Sequence, residues 1–69
     1  MQIKSYSKSQ VAQAYFPCAT SGAALNLLAS WIRRNRQLSE ALAATGYRST
    51  QRILSSRQVA LIFEFLGEP

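Results

Sequence analysis

Arg33 and Arg34 end a stretch whose outer face also carries Ser21, Asn26 and Ser30. A second basic group, Arg48, Arg52 and Arg57, follows further along the chain. These residue types can read or hold a polyanion. An asparagine amide bonds an adenine edge in two places, and a guanidinium does the same for guanine. Arginines outside the grooves grip phosphates and set orientation without reading sequence. The charge balance agrees: eight Lys/Arg against three acids leave a net +5 on 69 residues. So much positive charge on so small a surface favours DNA, RNA, acidic proteins or anionic lipid.

Other chemistries lack their residues. The chain has no histidine and no aspartate, and its three glutamates, Glu40, Glu64 and Glu68, lie in separate places. General acid–base catalysis at neutral pH usually uses a histidine or paired carboxylates. Cys18 is the only cysteine, so it has no partner for a disulfide and no imidazole to activate it as a nucleophile. Zinc sites need several thiolates or imidazoles, and no glycine-rich phosphate loop is present. The sequence therefore predicts a non-enzymatic protein with no cofactor, no metal and no small-molecule substrate. A lone thiol fits a reducing compartment. The longest apolar run, Val59 to Phe63, is far too short for a membrane span, and Met1 to Gln10 lacks a signal-peptide core. A cytoplasmic protein is the expectation.

The elements that must position these residues read mainly as helices. Tyr6-Ser7-Lys8-Ser9-Gln10-Val11-Ala12 and Leu54-Ser55-Ser56-Arg57-Gln58-Val59-Ala60 share one pattern: apolar, Ser, two polar residues, Gln, Val, Ala. Each is a helix start in which the serine caps and the glutamine three places on returns a bond to the cap backbone. The likeness is assigned to shared capping chemistry rather than duplication. The first helix should run from Lys8 to Phe16, where Pro17 ends it. The second, capped by Thr20 or Ser21, should reach Arg34, with Ala24, Leu25, Leu28, Trp31 and Ile32 on one face. Asn35 and Arg36 interrupt. The third should span Gln37 to Thr45 and close at Gly46, with Tyr47 folding back on Leu42. The fourth should run from Ser56 to Leu66 and close at Gly67. Ile53-Leu54 and Gln2 to Ser5 are candidates for a minimal ribbon beside the helices.

The expected fold class is thus a mainly α four-helix small domain over residues 1–69, with a two-stranded β ribbon left open. Its core is Val11, Tyr15, Leu25, Leu28, Trp31, Ile32, Leu38, Leu42, Val59, Ile62, Phe63 and Leu66. The first helix, a short turn and the second helix have the layout of a helix-turn-helix, in which the second helix enters the major groove. The turn departs from the usual pattern, since it holds Pro17 in place of a glycine. Exposed N–H groups at Thr20-Ser21-Gly22 would suit a phosphate. Double-stranded DNA is the expected partner, through Ser21, Asn26, Ser30, Arg33 and Arg34, with Arg48, Arg52 and Arg57 on the backbone. The alternative is a protein-interaction module or homodimer using Leu61 and Phe65, which fall off the apolar stripe of the fourth helix.

Ile3-Lys4-Ser5-Tyr6, Val11-Ala12, Tyr15-Phe16-Pro17, Trp31-Ile32, Gly46-Tyr47, Gln58-Val59 and the closing Leu66-Gly67-Glu68-Pro69 run through nearly the whole chain. In these residues the chain resembles a family of small single-domain proteins of unknown function from intestinal anaerobic bacteria. The resemblance implies one domain and assigns no catalytic or binding residue. A looser, fold-level similarity to helix-turn-helix DNA-binding proteins of phages and mobile elements implies a regulatory role.

Overall fold

The computed structural model describes residues 2–69. Its elements are β1 (Tyr6–Ser7), α1 (Lys8–Tyr15), α2 (Ser21–Arg34), α3 (Arg36–Ala44), β2 (Ile53–Leu54) and α4 (Ser56–Leu66). The architecture is mainly helical, with one two-stranded antiparallel sheet.

Every helix starts on a side-chain cap, because the first N–H groups of a helix have no partner within it. Ser7 Oγ accepts from Gln10 N at 3.1 Å, and Gln10 Oε1 accepts from Ser7 N at 2.9 Å. Ser55 and Gln58 repeat the exchange at 3.3 and 3.0 Å. Thr20 caps α2, so the capping role left open between Thr20 and Ser21 falls to Thr20. Asn35 ends α2 and caps α3, its Oδ1 accepting from Leu38 N at 3.0 Å. The break between these helices is one residue rather than the expected two, because a residue that caps leaves nothing else to interrupt. At the far end of α3, Gly46 adopts φ +83°. Its N–H bonds Ala43 O at 3.0 Å, and Tyr47 N–H bonds Leu42 O at 3.2 Å. This pair of bonds closes the helix through a left-handed glycine that a side chain would strain.

The ribbon exists, but not at Gln2 to Ser5. Tyr6 pairs with Leu54 and Ser7 with Ile53. The reason is local. A capping residue must be extended, and Ser7 (φ −69°, ψ 150°) and Ser55 (φ −70°, ψ 161°) both are. The extended entries to α1 and α4 lie side by side, so the ladder forms there. It continues through Lys8 N to Arg52 O at 2.7 Å.

The core is Val11, Ala12, Ala24, Leu28, Ile32, Leu38, Leu42, Leu54, Val59, Ile62 and Phe63. Four expected core residues lie further out. Tyr15, Leu25 and Leu66 are half-buried, and Trp31 keeps 37% of its surface exposed. Small Ala24 and Ala12 take the centre instead, because they let α1 and α2 approach closely. Trp31 is left on the rim of the contact. There it meets Phe16 edge-on at 4.6 Å between ring centroids and Tyr15 at 5.8 Å, and Tyr15 meets Phe63 at 6.3 Å. The rings join α1, α2 and α4.

Candidate nucleic-acid interface

The segment from Arg48 to Arg52 has no helical or strand pattern, yet it is held from two sides and by its own Gln51. Lys8, the first residue of α1, is 7% exposed and reaches under it: Nζ donates to Ser49 O at 2.9 Å and sits 5.1 Å from the Tyr47 ring centre. Gln58, 5% exposed, holds it from α4. Its Oε1 accepts from Gln51 Nε2 at 2.9 Å, and its Nε2 donates to Thr45 Oγ1 at 3.0 Å. Thr45 passes the chain on to Leu42 O, at 2.6 Å. Gln51 closes the loop on itself, accepting from Arg48 N at 3.0 Å and donating to Ile53 O at 2.7 Å. No buried side-chain nitrogen or oxygen among the described residues lacks a partner. A fully satisfied network of this kind makes the loop a fixed surface.

That loop faces α2 across a groove of about 610 Å³, lined by Asn26 and Ala29 from α2, Ser7 and Lys8 from the start of α1, and Arg52. A second groove, about 500 Å³, adds Arg33, Ser39 and Tyr47. The two share Asn26, Ala29 and Ser49 in their walls, so they adjoin. No glutamate lines either. All three glutamates are exposed, and Glu40 is held by Arg36 at 3.1 Å.

The structure therefore places Asn26 in the walls of both grooves, with Arg52 in one and Arg33 in the other. Asn26 and Arg33 are seven residues apart, which is two helical turns, so they share a face. Arg34 does not: it lines a different groove with Trp31. Ser30 is half-buried, and Ser21 is exposed at the start of α2. Arg48 and Arg57 are exposed but line none of these grooves. Leu61 and Phe65 are half-buried and pack against the core cluster. Among the described residues the large exposed apolar side chains are instead Ile3, Leu27, Trp31 and Ile53.

Sequence reasoning missed Lys8 and Gln58, because both read as solvated polar residues at helix starts. The signal for Gln58 was its capping box, which shows one of its bonds and hides the others. Tyr15 lies outside the grooves. Burial, and then Glu68, push its phenol up to about 12, and its hydroxyl donates to Gly67 O, fastening the end of α4 to α1. Cys18 is exposed. Among the described residues no cluster of three potential metal ligands occurs, and no helix is long and apolar enough to cross a membrane.

No curated protein and no solved structure matches the chain. A family match covers residues 2–69, nearly the whole sequence, and on that extent the chain belongs to the family described as Domain of unknown function (DUF4248).

Proposed function

We propose that this protein binds double-stranded DNA, with the Asn26–Arg33 face of α2 and the Arg48–Arg52 loop as its contact surface. The observation that carries this reading is the pair of adjoining grooves that share Asn26, one lined by Arg52 and the other by Arg33, with no carboxylate in either wall. In a chain of net charge +5, a polyanion meets no carboxylate repulsion from the walls of these grooves. Asn26 supplies a base-edge group, and the arginines supply phosphate contacts. The loop then serves as a small wing beside the reading helix. It is held in place by Lys8 and Gln58, so little ordering is needed on binding. Ser21, Ser30 and Arg57 line neither groove. A small, non-enzymatic regulator acting in the cytoplasm, on chromosomal or mobile-element DNA, is the role this reading implies.

The test is fluorescence anisotropy of a labelled random duplex across a salt series. Non-specific binding should fall in the range of roughly 1–100 μM and weaken steeply with salt, the log–log slope being about −0.9 per phosphate neutralised. Arg33→Ala with Arg52→Ala should lower that slope by about two and weaken binding, while circular dichroism stays unchanged. Arg34→Ala should change duplex binding far less. No binding at low salt, or binding unaffected by the Arg33/Arg52 pair, overturns the reading.

A further inference from the structure

The other side of α2 carries a different surface. Leu27, Trp31 and Arg34 follow each other at spacings of four and three residues, so they form one stripe. Trp31 and Arg33 are two residues apart, which puts them on nearly opposite sides of the helix. Leu27 is 43% exposed and Trp31 37%. Trp31 lines a groove of about 480 Å³ together with Arg34, Asn35, Arg36, Gln37 and Leu66.

We propose that this groove binds single-stranded nucleic acid, with Trp31 stacking on an unpaired base and Arg34 and Arg36 holding the adjoining phosphates. The inference rests on the nucleic-acid reading above and extends it from the duplex to the unpaired strand. Three observations carry it. The indole is partly open to solvent but is not loose: Phe16 and Tyr15 meet it edge-on, with interplanar angles of 64° and 69°, which sets its orientation before any ligand arrives. The polar lining of the groove is two guanidinium groups and two amides, with no carboxylate. An aromatic face beside cations is the combination that binds single strands without sequence preference, since every base has a π-face to stack. Arg36 is engaged by Glu40 at 3.1 Å, but both side chains are largely exposed (91% and 69%). A solvated pair of this kind is weak, so a phosphate can take over the guanidinium.

Trp31 is the only tryptophan in the chain, so its emission reports on this groove alone. The experiment titrates the full chain with a short thymidylate oligonucleotide, and in parallel with its uridylate counterpart, while following tryptophan fluorescence and the anisotropy of labelled oligonucleotide. Quenching that saturates, and weakens with salt at a log–log slope near −0.7 per phosphate, is the expected result with at least one of the two strands. Trp31→Ala should cost roughly tenfold in oligonucleotide affinity. Trp31→Phe, which keeps an aromatic ring in the cluster, should restore part of that loss and guards against a folding defect. Arg34→Ala should weaken the oligonucleotide, and Arg33→Ala with Arg52→Ala should leave it nearly unchanged. Duplex binding without any quenching by either single strand overturns this inference and leaves the duplex reading standing. Quenching by a polyglutamate peptide as strong as that by the oligonucleotides overturns it too, and points to an acidic protein partner. If neither duplex nor single strand binds, both readings fall.

Discussion

The chain enters a helix twice by the same motif, at Ser7–Gln10 and at Ser55–Gln58, and the two copies differ in where they are buried. In the first, Gln10 is exposed and makes only its capping bond, while Lys8 is buried beneath the Arg48–Arg52 loop. In the second, Ser56, the equivalent of Lys8, is exposed, and the glutamine is buried. Gln58 caps α4 and also binds Gln51 and Thr45. One local device has been put to two uses, and both uses converge on the same loop. The lesson is that a capping box settles how a helix begins, while its surroundings decide whether its side chains carry anything more.

The strongest way to break this comparison is to remove each glutamine. Gln58→Ala strands the Ser55 N–H and withdraws partners from Gln51 and Thr45. Gln51 keeps its bond to Ile53 O and Thr45 its bond to Leu42 O, so the cost is that of the lost bonds at about 1 kcal/mol each, about 3 kcal/mol by urea unfolding. Gln10→Ala, removing the same capping contact in the open, should cost about 0.5 kcal/mol. Equal losses would mean that the two boxes are equivalent and that the buried network adds nothing.

A smaller effect should separate the first helical residues. Lys8→Met keeps the apolar stem and removes the ammonium, leaving Ser49 O without its donor and Tyr47 without its cation. About 1 kcal/mol of stability should go. Amide exchange in the Arg48–Arg52 loop should quicken with it. Ser56→Ala, at the matching exposed position, should lie within about 0.5 kcal/mol of the parent. Unchanged loop exchange in Lys8→Met would show that Gln58 alone holds the loop.

The smallest effect is read at high pH, where the helices that follow the two boxes are joined. Burial holds the Tyr15 phenol at about 12, above its ordinary 10.0. The fold therefore favours the neutral form. Its contribution is complete below pH 10 and declines as pH rises from 10 towards 12, because the unfolded chain ionises first. Tyr15→Phe should flatten that part of the stability–pH curve relative to the parent. A curve of identical shape would mean that burial between α1 and α4 does not hold the phenol above its ordinary value in solution.

Much of the fold was legible because the forces that set it are short-ranged. A serine cap and its glutamine lie three residues apart, so both boxes, and the start of α4 at Ser56, follow from neighbours in the chain. Gly46 and Tyr47 complete the end of α3 for the same reason. The stripes Leu28–Ile32, Leu38–Leu42 and Val59–Ile62–Phe63 follow from helical period alone, and all of these residues are buried. The candidate site was legible only as a set of residue types. Asn26, Arg33 and Arg52 stood out by charge and hydrogen-bonding capacity, but nothing in their spacing separated Arg33 from its neighbour Arg34. Adjacent helical residues diverge by about 100°, and which of them faces the loop depends on how α2 is rotated against its neighbours.

The sequence by itself determined the starts of α1 and α4, the chain's positive charge and its lack of histidine and aspartate, because each is a property of composition or of contacts within one turn. Only the tertiary structure decided which polar residues are buried, that Trp31 lies on the rim of the aromatic cluster rather than in the core, and that the ribbon pairs Tyr6 with Leu54. Those outcomes depend on residues tens of positions apart. Bringing such residues together costs chain entropy, and the whole core, rather than any local motif, offsets that cost.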